Sequence, residues 1–110
     1  MEKSPETRIT SYKDLRVWQK AMDLVAECSK LTKRLPSSET FGLSSQIQRA
    51  AVSVPVNIAE GHGRHHLGDY LHHLSIARGS LMEVETLLLI VIRVGHLPTK
   101  EVAQLLQQTD

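Results

Sequence analysis

Five of the six histidines in this 110-residue chain fall within twelve residues: His62, His65, His66, His72 and His73. Just upstream, the stretch SVPVNIAEGHGR (Ser53 to Arg64) puts a proline in a helical pattern and ends in Gly-x-Gly-Arg. Residues of these types could hold a metal, cradle a phosphate, or only turn the chain. His62 and His66 stand four apart, as do Asp69 and His73, so on a continuous helix each pair could share a metal. Gly61 and Gly63 argue against a continuous helix there, and the chain has neither H-E-x-x-H nor a cysteine partner. The expectation is therefore no metal site and no cofactor, with the imidazoles on a solvated loop and helix start. A dinucleotide fingerprint needs a strand before its glycines, and here they follow a helical pattern. Gly61 as a left-handed residue ending the helix explains the same letters. Arg64 would then bond the last carbonyls of that helix. The reading is a turn.

Asn57 is the other polar residue of interest, because it falls in the middle of an apolar helical stripe, between Ala50 and Val54 on the wheel. A buried asparagine must find hydrogen-bond partners. Two readings stand: a hydrogen-bonded seam that fixes helix register beside Pro55, or a contact for a ligand or partner. Gln46, Ser53 and Glu60 lie on its shoulder, and Arg78 and Glu85 flank the facing seam. No catalytic set emerges. Cys28 is the single cysteine and has no adjacent base, and Glu83 and Glu85 point to different sides of a helix. The chain reads as no enzyme.

Four helices must position these residues. Ser11-Tyr12-Lys13-Asp14 has the form of a capping box and opens the first. Leu15, Trp18, Met22 and Val25 follow at helical spacing, and Pro36 marks the stop. Leu43, Ile47, Ala50, Ala51, Val54 and Ile58 form the stripe of a second helix over about 42–60, which Pro55 should bend. Tyr70, Leu74, Ala77, Leu81, Val84, Leu88 and Val91 alternate at four and three, an unbroken seam for a third helix over about 67–94. Gly95 stops it, and Pro98 and Thr99 start a short fourth helix carrying Val102, Ala103, Leu105 and Leu106. The prediction is an all-α, antiparallel up-down four-helix bundle over 11–110, after a disordered lead-in at 1–10.

Two helices carry more apolar surface than one core holds. Ile76, Leu87, Ile90 and Val94 form a second stripe on the third helix. On the first, Val17, Ala21, Leu24, Cys28, Leu31 and Leu35 widen the stripe past half the circumference. That surplus predicts a homo-oligomer with Ile76, Leu87, Ile90 and Val94 at its interface. Net charge is only +1, but residues 1–35 hold eight bases against five acids, while residues 67–110 hold three against five. The charged row Arg16, Lys20, Asp23, Glu27, Lys30 and Arg34 reads either as a solvated face or as an RNA-binding one. A polar N-terminus and a longest apolar run of LLLIVI (87–92) predict a cytoplasmic protein with no membrane partner.

At this point four stretches together resemble the small bacterial four helix bundle protein family, first described from reading frames inside intervening sequences of 23S rRNA genes. They are SYKDLRVWQKAMDL (11–24), LSSQIQRAAVSVPVNIAEGHGR (43–64), IARGSLMEVET (76–86) and VGHLP (94–98). The resemblance implies a bundle that assembles as a homopentamer without enzyme activity, with Asn57, Glu60, Gly61, Gly63 and Arg64 in the family pattern. Gln48 stands where many members carry a second basic residue beside Arg49, and His65, His66, His72 and His73 lie outside the pattern. The leading reading of function is binding of RNA or a ribonucleoprotein by a ring that brings several weak basic patches together, with Arg16, Lys20, Arg49 and Arg64 as candidate contacts. The alternative is a protein-interaction adaptor, because the family is similar to the accessory variability protein of diversity-generating retroelements, a reverse-transcriptase partner.

Overall fold

A computed structural model of the chain describes residues 11–110; the expected lead-in at 1–10 lies outside the described residues. Four helices follow one another: α1 (Arg16–Thr32), α2 (Leu43–His62), α3 (Leu67–Arg93) and α4 (Thr99–Gln107), with no strand among the described residues. The molecule is a four-helix bundle with a short last helix, elongated at 55 × 27 × 20 Å. None of these helices is long and apolar enough to cross a membrane.

Ser11 closes its capping box as its spacing predicts: its hydroxyl accepts from the Lys13 N–H, and its own N–H donates to Asp14. The box caps a single 3-10 turn, Tyr12–Asp14, and not the long helix. Leu15 then takes an extended conformation (φ −73°, ψ 127°), and α1 begins afresh at Arg16. The break lets Leu15 and Trp18 pack together against Ala21, Val54, Ile58 and Ala77.

Burial corrects the first-helix stripe. Ala21, Leu24, Cys28 and Leu31 form the buried face of α1, while Met22 stays exposed and Trp18 and Val25 are half-buried. In α2 the buried residues Ile47, Ala50, Ala51, Val54 and Ile58 match the spacing, and Pro55 is buried within a helix that continues through it. In α3 the seam buries Ala77, Val84, Leu88 and Val91. Leu87 joins them and is a correction to the second stripe. It lies about 40° round the wheel from Val91, and it packs in the cluster that Val102 and Leu105 of α4 complete. Gly95, at φ +84°, is the single positive φ among the described residues and ends α3 as expected.

The layout follows from the length of α4. The α2 helix lies between α1 and α3 and packs along both, and α4 fills the slot opposite. At nine residues α4 reaches only about 14 Å, against about 40 Å for α3. Beyond its end the slot stays open as a groove of about 280 Å³ floored by Ala21, Val54, Ile58 and Ala77, with Lys20 and Arg78 beside it.

The loops at the α4 end are tied by a histidine–carboxylate hydrogen bond. His96 Nε2 lies 2.9 Å from Glu39 Oε2, and Glu39 Oε1 accepts the Leu43 N–H at 3.1 Å, which caps α2 from outside. The hydrogen bond from His96 and that from Leu43 hold the Glu39 carboxyl below the usual carboxylate range. A depressed carboxyl contributes stability that is present above its unfolded value, about 4.3, and is lost as pH falls through the folded one. Glu39→Gln is therefore expected to show a smaller drop in melting temperature than the parent between about pH 5 and 3. Parallel drops in the two proteins would remove Glu39 from the acid response.

Candidate functional site

A polar seam runs between α2 and α3 toward the turn that joins them. Ser80 donates its hydroxyl to Ser53 Oγ at 2.8 Å. Asn57 Nδ2 donates to the Ser53 carbonyl at 2.9 Å and to Ser53 Oγ at 3.0 Å. With its amide nitrogen committed to Ser53, Asn57 presents Oδ1 to His73 Nδ1 at 3.1 Å. An amide oxygen only accepts, so Nδ1 must carry the hydrogen, and the second ring nitrogen, Nε2, is left for another partner. Of the two readings of Asn57, the structure supplies the seam: it cross-links α2 and α3 two residues from Pro55. The expected flanking partners Arg78 and Glu85 take no part. Its partner is His73, which the sequence reading left in solvent.

Gly61 is a second correction. The helix does not end there in a left-handed residue; it continues to His62, and Gly63 caps it at φ −79°. Gly61 is buried against α3, and a Cβ there would stand 2.9 Å from His73 Cβ and 3.3 Å from Tyr70 Cδ1. The residue is glycine because two helices meet, not because the backbone turns. The last carbonyls of α2 are met by backbone donors: the Gly63 N–H reaches Ala59 O and Glu60 O, and the Arg64 N–H reaches Gly61 O. The Arg64 guanidinium, expected at those carbonyls, instead lies 4.0 Å from Glu60 Oε2. Glu60 Oε2 is also 4.0 Å from His73 Nδ1, so one carboxylate lies between the seam and the arginine.

The turn beyond is open and polar. Gly61, His62, Arg64, His65, His66 and Tyr70 line a shallow hollow of about 390 Å³. His66 stands at the N-cap of α3 and gives it no side-chain cap. Among the described residues no three of His, Cys, Asp and Glu converge as a metal cage requires. Cys28 is buried in the core, and burial, with Glu27 adding to it, pushes its thiol up to about 12. A thiol held that high stays protonated and is no nucleophile at neutral pH.

The four candidate cations divide between two places. Arg16 and Lys20 lie on the exposed side of α1, next to Leu15 and Trp18, which pack against Ile58 near the C-terminal end of α2. Arg64 is exposed in the turn that follows, at that same end. Arg49 is exposed on α2 but about 22 Å back along the helix axis, at 1.5 Å per residue. Arg16, Lys20 and Arg49 make no ion pair among the described residues, whereas Lys30 pairs with Glu27 and Arg34 with Glu101. Sequence reasoning missed Arg78 as a surface cation: it is exposed on α3 and borders the open groove with Lys20. Its spacing beside the seam was visible, but the groove was not. Gln48 bonds Thr32 Oγ1 at 2.8 Å and so ties α1 to α2.

Of the expected interface residues, Ile76, Ile90 and Val94 are exposed, and Leu67, Leu71, Met82 and Leu89 of α3 are exposed with them. Leu87, buried at 5%, is part of the monomer's own core.

Comparison with known proteins adds a family and a fold. Residues 13–110 match the model of the 23S rRNA-intervening sequence protein family. A crystal structure of a protein of unknown function from the S23 ribosomal protein family of Bacteroides thetaiotaomicron superposes with a TM-score of 0.78. It is 24% identical, with 84% of this chain and 87% of that chain covered. Likeness at that identity is likeness of fold. No curated protein matches the chain.

Proposed function

Because this chain belongs to the 23S rRNA-intervening sequence protein family, we propose that it is a non-catalytic, self-assembling cytoplasmic bundle that binds RNA or a ribonucleoprotein. The observation that carries the reading is the state of the cations. Arg16, Lys20 and Arg49 are exposed and without carboxylate partners among the described residues. They can meet phosphates without breaking an ion pair first. A net charge of +1 gives one copy little reach, so affinity depends on several copies presenting their basic segments together. The exposed apolar residues Ile76, Ile90, Val94 and Leu89 on α3 supply the surface for that assembly, with a homopentamer as the expected form.

Two measurements test this. Light scattering should give a multiple of the 12.3 kDa chain mass; a monomer at every concentration overturns the assembly and the pooled charge with it. A 23S rRNA intervening-sequence transcript should bind with affinity that falls steeply with salt. Four phosphate contacts imply a loss of about a hundredfold between 50 and 200 mM. Reversing Arg16, Lys20, Arg49 and Arg64 to glutamate should flatten that slope. Salt-independent binding, or none at low salt, removes the RNA reading.

A further inference from the structure

We propose that the hollow at the α2–α3 turn is an acid-strengthened site for the phosphates of RNA, built from the imidazoles of His62, His65 and His66 around Arg64. The inference deepens the RNA reading and rests on it. From Glu60 to His73 the formal charges are Arg64 against Glu60 and Asp69, a net of −1 while the five imidazoles are neutral. With all five charged the same segment reaches +4. Imidazole is the side chain whose charge changes between about pH 5 and 8, so the formal charge of this segment goes from negative to positive within a biological range. At neutral pH the segment adds little to phosphate binding by the bases of α1, and in mild acid it attracts phosphate itself.

The fold sets which imidazoles can do this. His65 and His66 are exposed and His62 half-exposed, and all three line the hollow with Arg64. They are therefore free to offer N–H donors to phosphate oxygens when charged. His73 is different, since its Nδ1–H is committed to Asn57 Oδ1 at 3.1 Å. Protonation adds its hydrogen at Nε2 and leaves that bond intact, with Glu60 Oε2 4.0 Å from Nδ1. Acid thus recharges the hollow without breaking the α2–α3 seam, so a change in binding need not come from a change in fold. A metal is the other taker of clustered imidazoles, but among the described residues no third ligand converges on any two of them.

The remaining charged groups around the turn are few. On α2, Glu60 is shared between Arg64 and His73. On α3, Asp69 lies in the first turn and is exposed, His72 packs edge-on against His73 at 5.9 Å, and Tyr70 lines the hollow. On the N-terminal turn that packs against α2, Asp14 accepts the Ser11 N–H, and Lys13 and Arg16 are exposed. His96 is at the far end of the bundle, paired with Glu39. Two carboxylates at the turn therefore oppose one arginine until the imidazoles charge.

The test uses the full chain and a fluorescent single-stranded 12-mer RNA at fixed ionic strength, titrated at pH 7.5 and pH 5.5. The parent is expected to bind about tenfold more tightly at pH 5.5, with a steeper salt slope, as added phosphate contacts require. The triple variant His62→Gln, His65→Gln, His66→Gln changes two exposed side chains and one half-exposed one, and matching melting curves at both pH values would confirm that it folds. It should keep its pH 7.5 affinity and lose most of the gain at pH 5.5. A variant that gains as much as the parent overturns the hollow as the site while leaving RNA binding itself in place. RNA binding absent at both pH values overturns both.

Discussion

Leu88→Ala is expected to cost about 3–5 kcal/mol of folding stability, while Leu89→Ala, the next residue along, costs under about 0.5 kcal/mol in a monomer. The two side chains are chemically identical and lie 100° apart on one helix. Leu88 is 0% exposed, in the cluster with Leu24, Cys28, Ile47 and Val102, and Leu89 is 51% exposed. Truncating Leu88 removes its transfer free energy and leaves a cavity that rigid helices cannot close, and the cavity dominates the spread of such measurements. A chain of this size has roughly 5–15 kcal/mol in hand, so Leu88→Ala should shift the denaturation midpoint far and lower the yield of folded protein. Chemical denaturation of the two variants under one set of conditions is the measurement. Near-equal large losses would mean that Leu89 is covered in solution by another copy, and this would support the proposed assembly from the side of stability.

The contrast between neighbours marks what periodicity can and cannot tell. The α2 stripe and the α3 seam were legible because three- and four-residue spacing is a geometric property of any helix. The stop at Gly95 was legible because its φ, +84°, is one that glycine adopts without strain. Leu87 was misplaced because a wheel gives angles but not the width of the arc that a fourth helix covers. The helix start was misplaced for a related reason. A capping box satisfies the same local donors whether it opens one 3-10 turn or six α turns, and what decided the matter is the docking of Leu15 and Trp18 near Ile58.

The site was less legible than the fold. The residue that bonds Asn57 lies sixteen positions away on another helix, and no local pattern marks one histidine of five as its partner. That Asn57 needed partners was clear from its place in an apolar stripe. Which polar group answered depended on the crossing of α2 and α3, and so on Gly61. Glycine is ambiguous in a sequence, because a turn needs its backbone freedom and a helix crossing needs its missing side chain.

Gly61→Val separates those two meanings of glycine. The valine Cβ would sit 2.9 Å from His73 Cβ, with Tyr70 Cδ1 and the Tyr70 carbonyl at 3.3 Å. His73 Cβ and the Tyr70 carbonyl are on or next to the backbone and cannot swing aside as the Tyr70 ring could, so the helices must part. Overpacking of this kind costs about 1–3 kcal/mol, and the two valine methyls put the variant at or above the top of that range. Gly61→Ala carries the same Cβ contact but recovers up to about 1 kcal/mol of helix propensity, so its loss is smaller. Gly63→Ala is the control: its Cβ would meet only the Glu60 and Ala59 carbonyls, at 3.6 and 3.7 Å, and its φ is −79°. That substitution should be neutral within about 0.5 kcal/mol. If both glycines were turn residues with left-handed backbones, alanine at either would be strained, and Gly63 would suffer as much as Gly61. A helix crossing predicts loss at Gly61 alone. It also predicts a local sign of parting in the folded Gly61→Val protein: the Asn57 side-chain amide resonances should shift, because His73 moves with the helix that carries it.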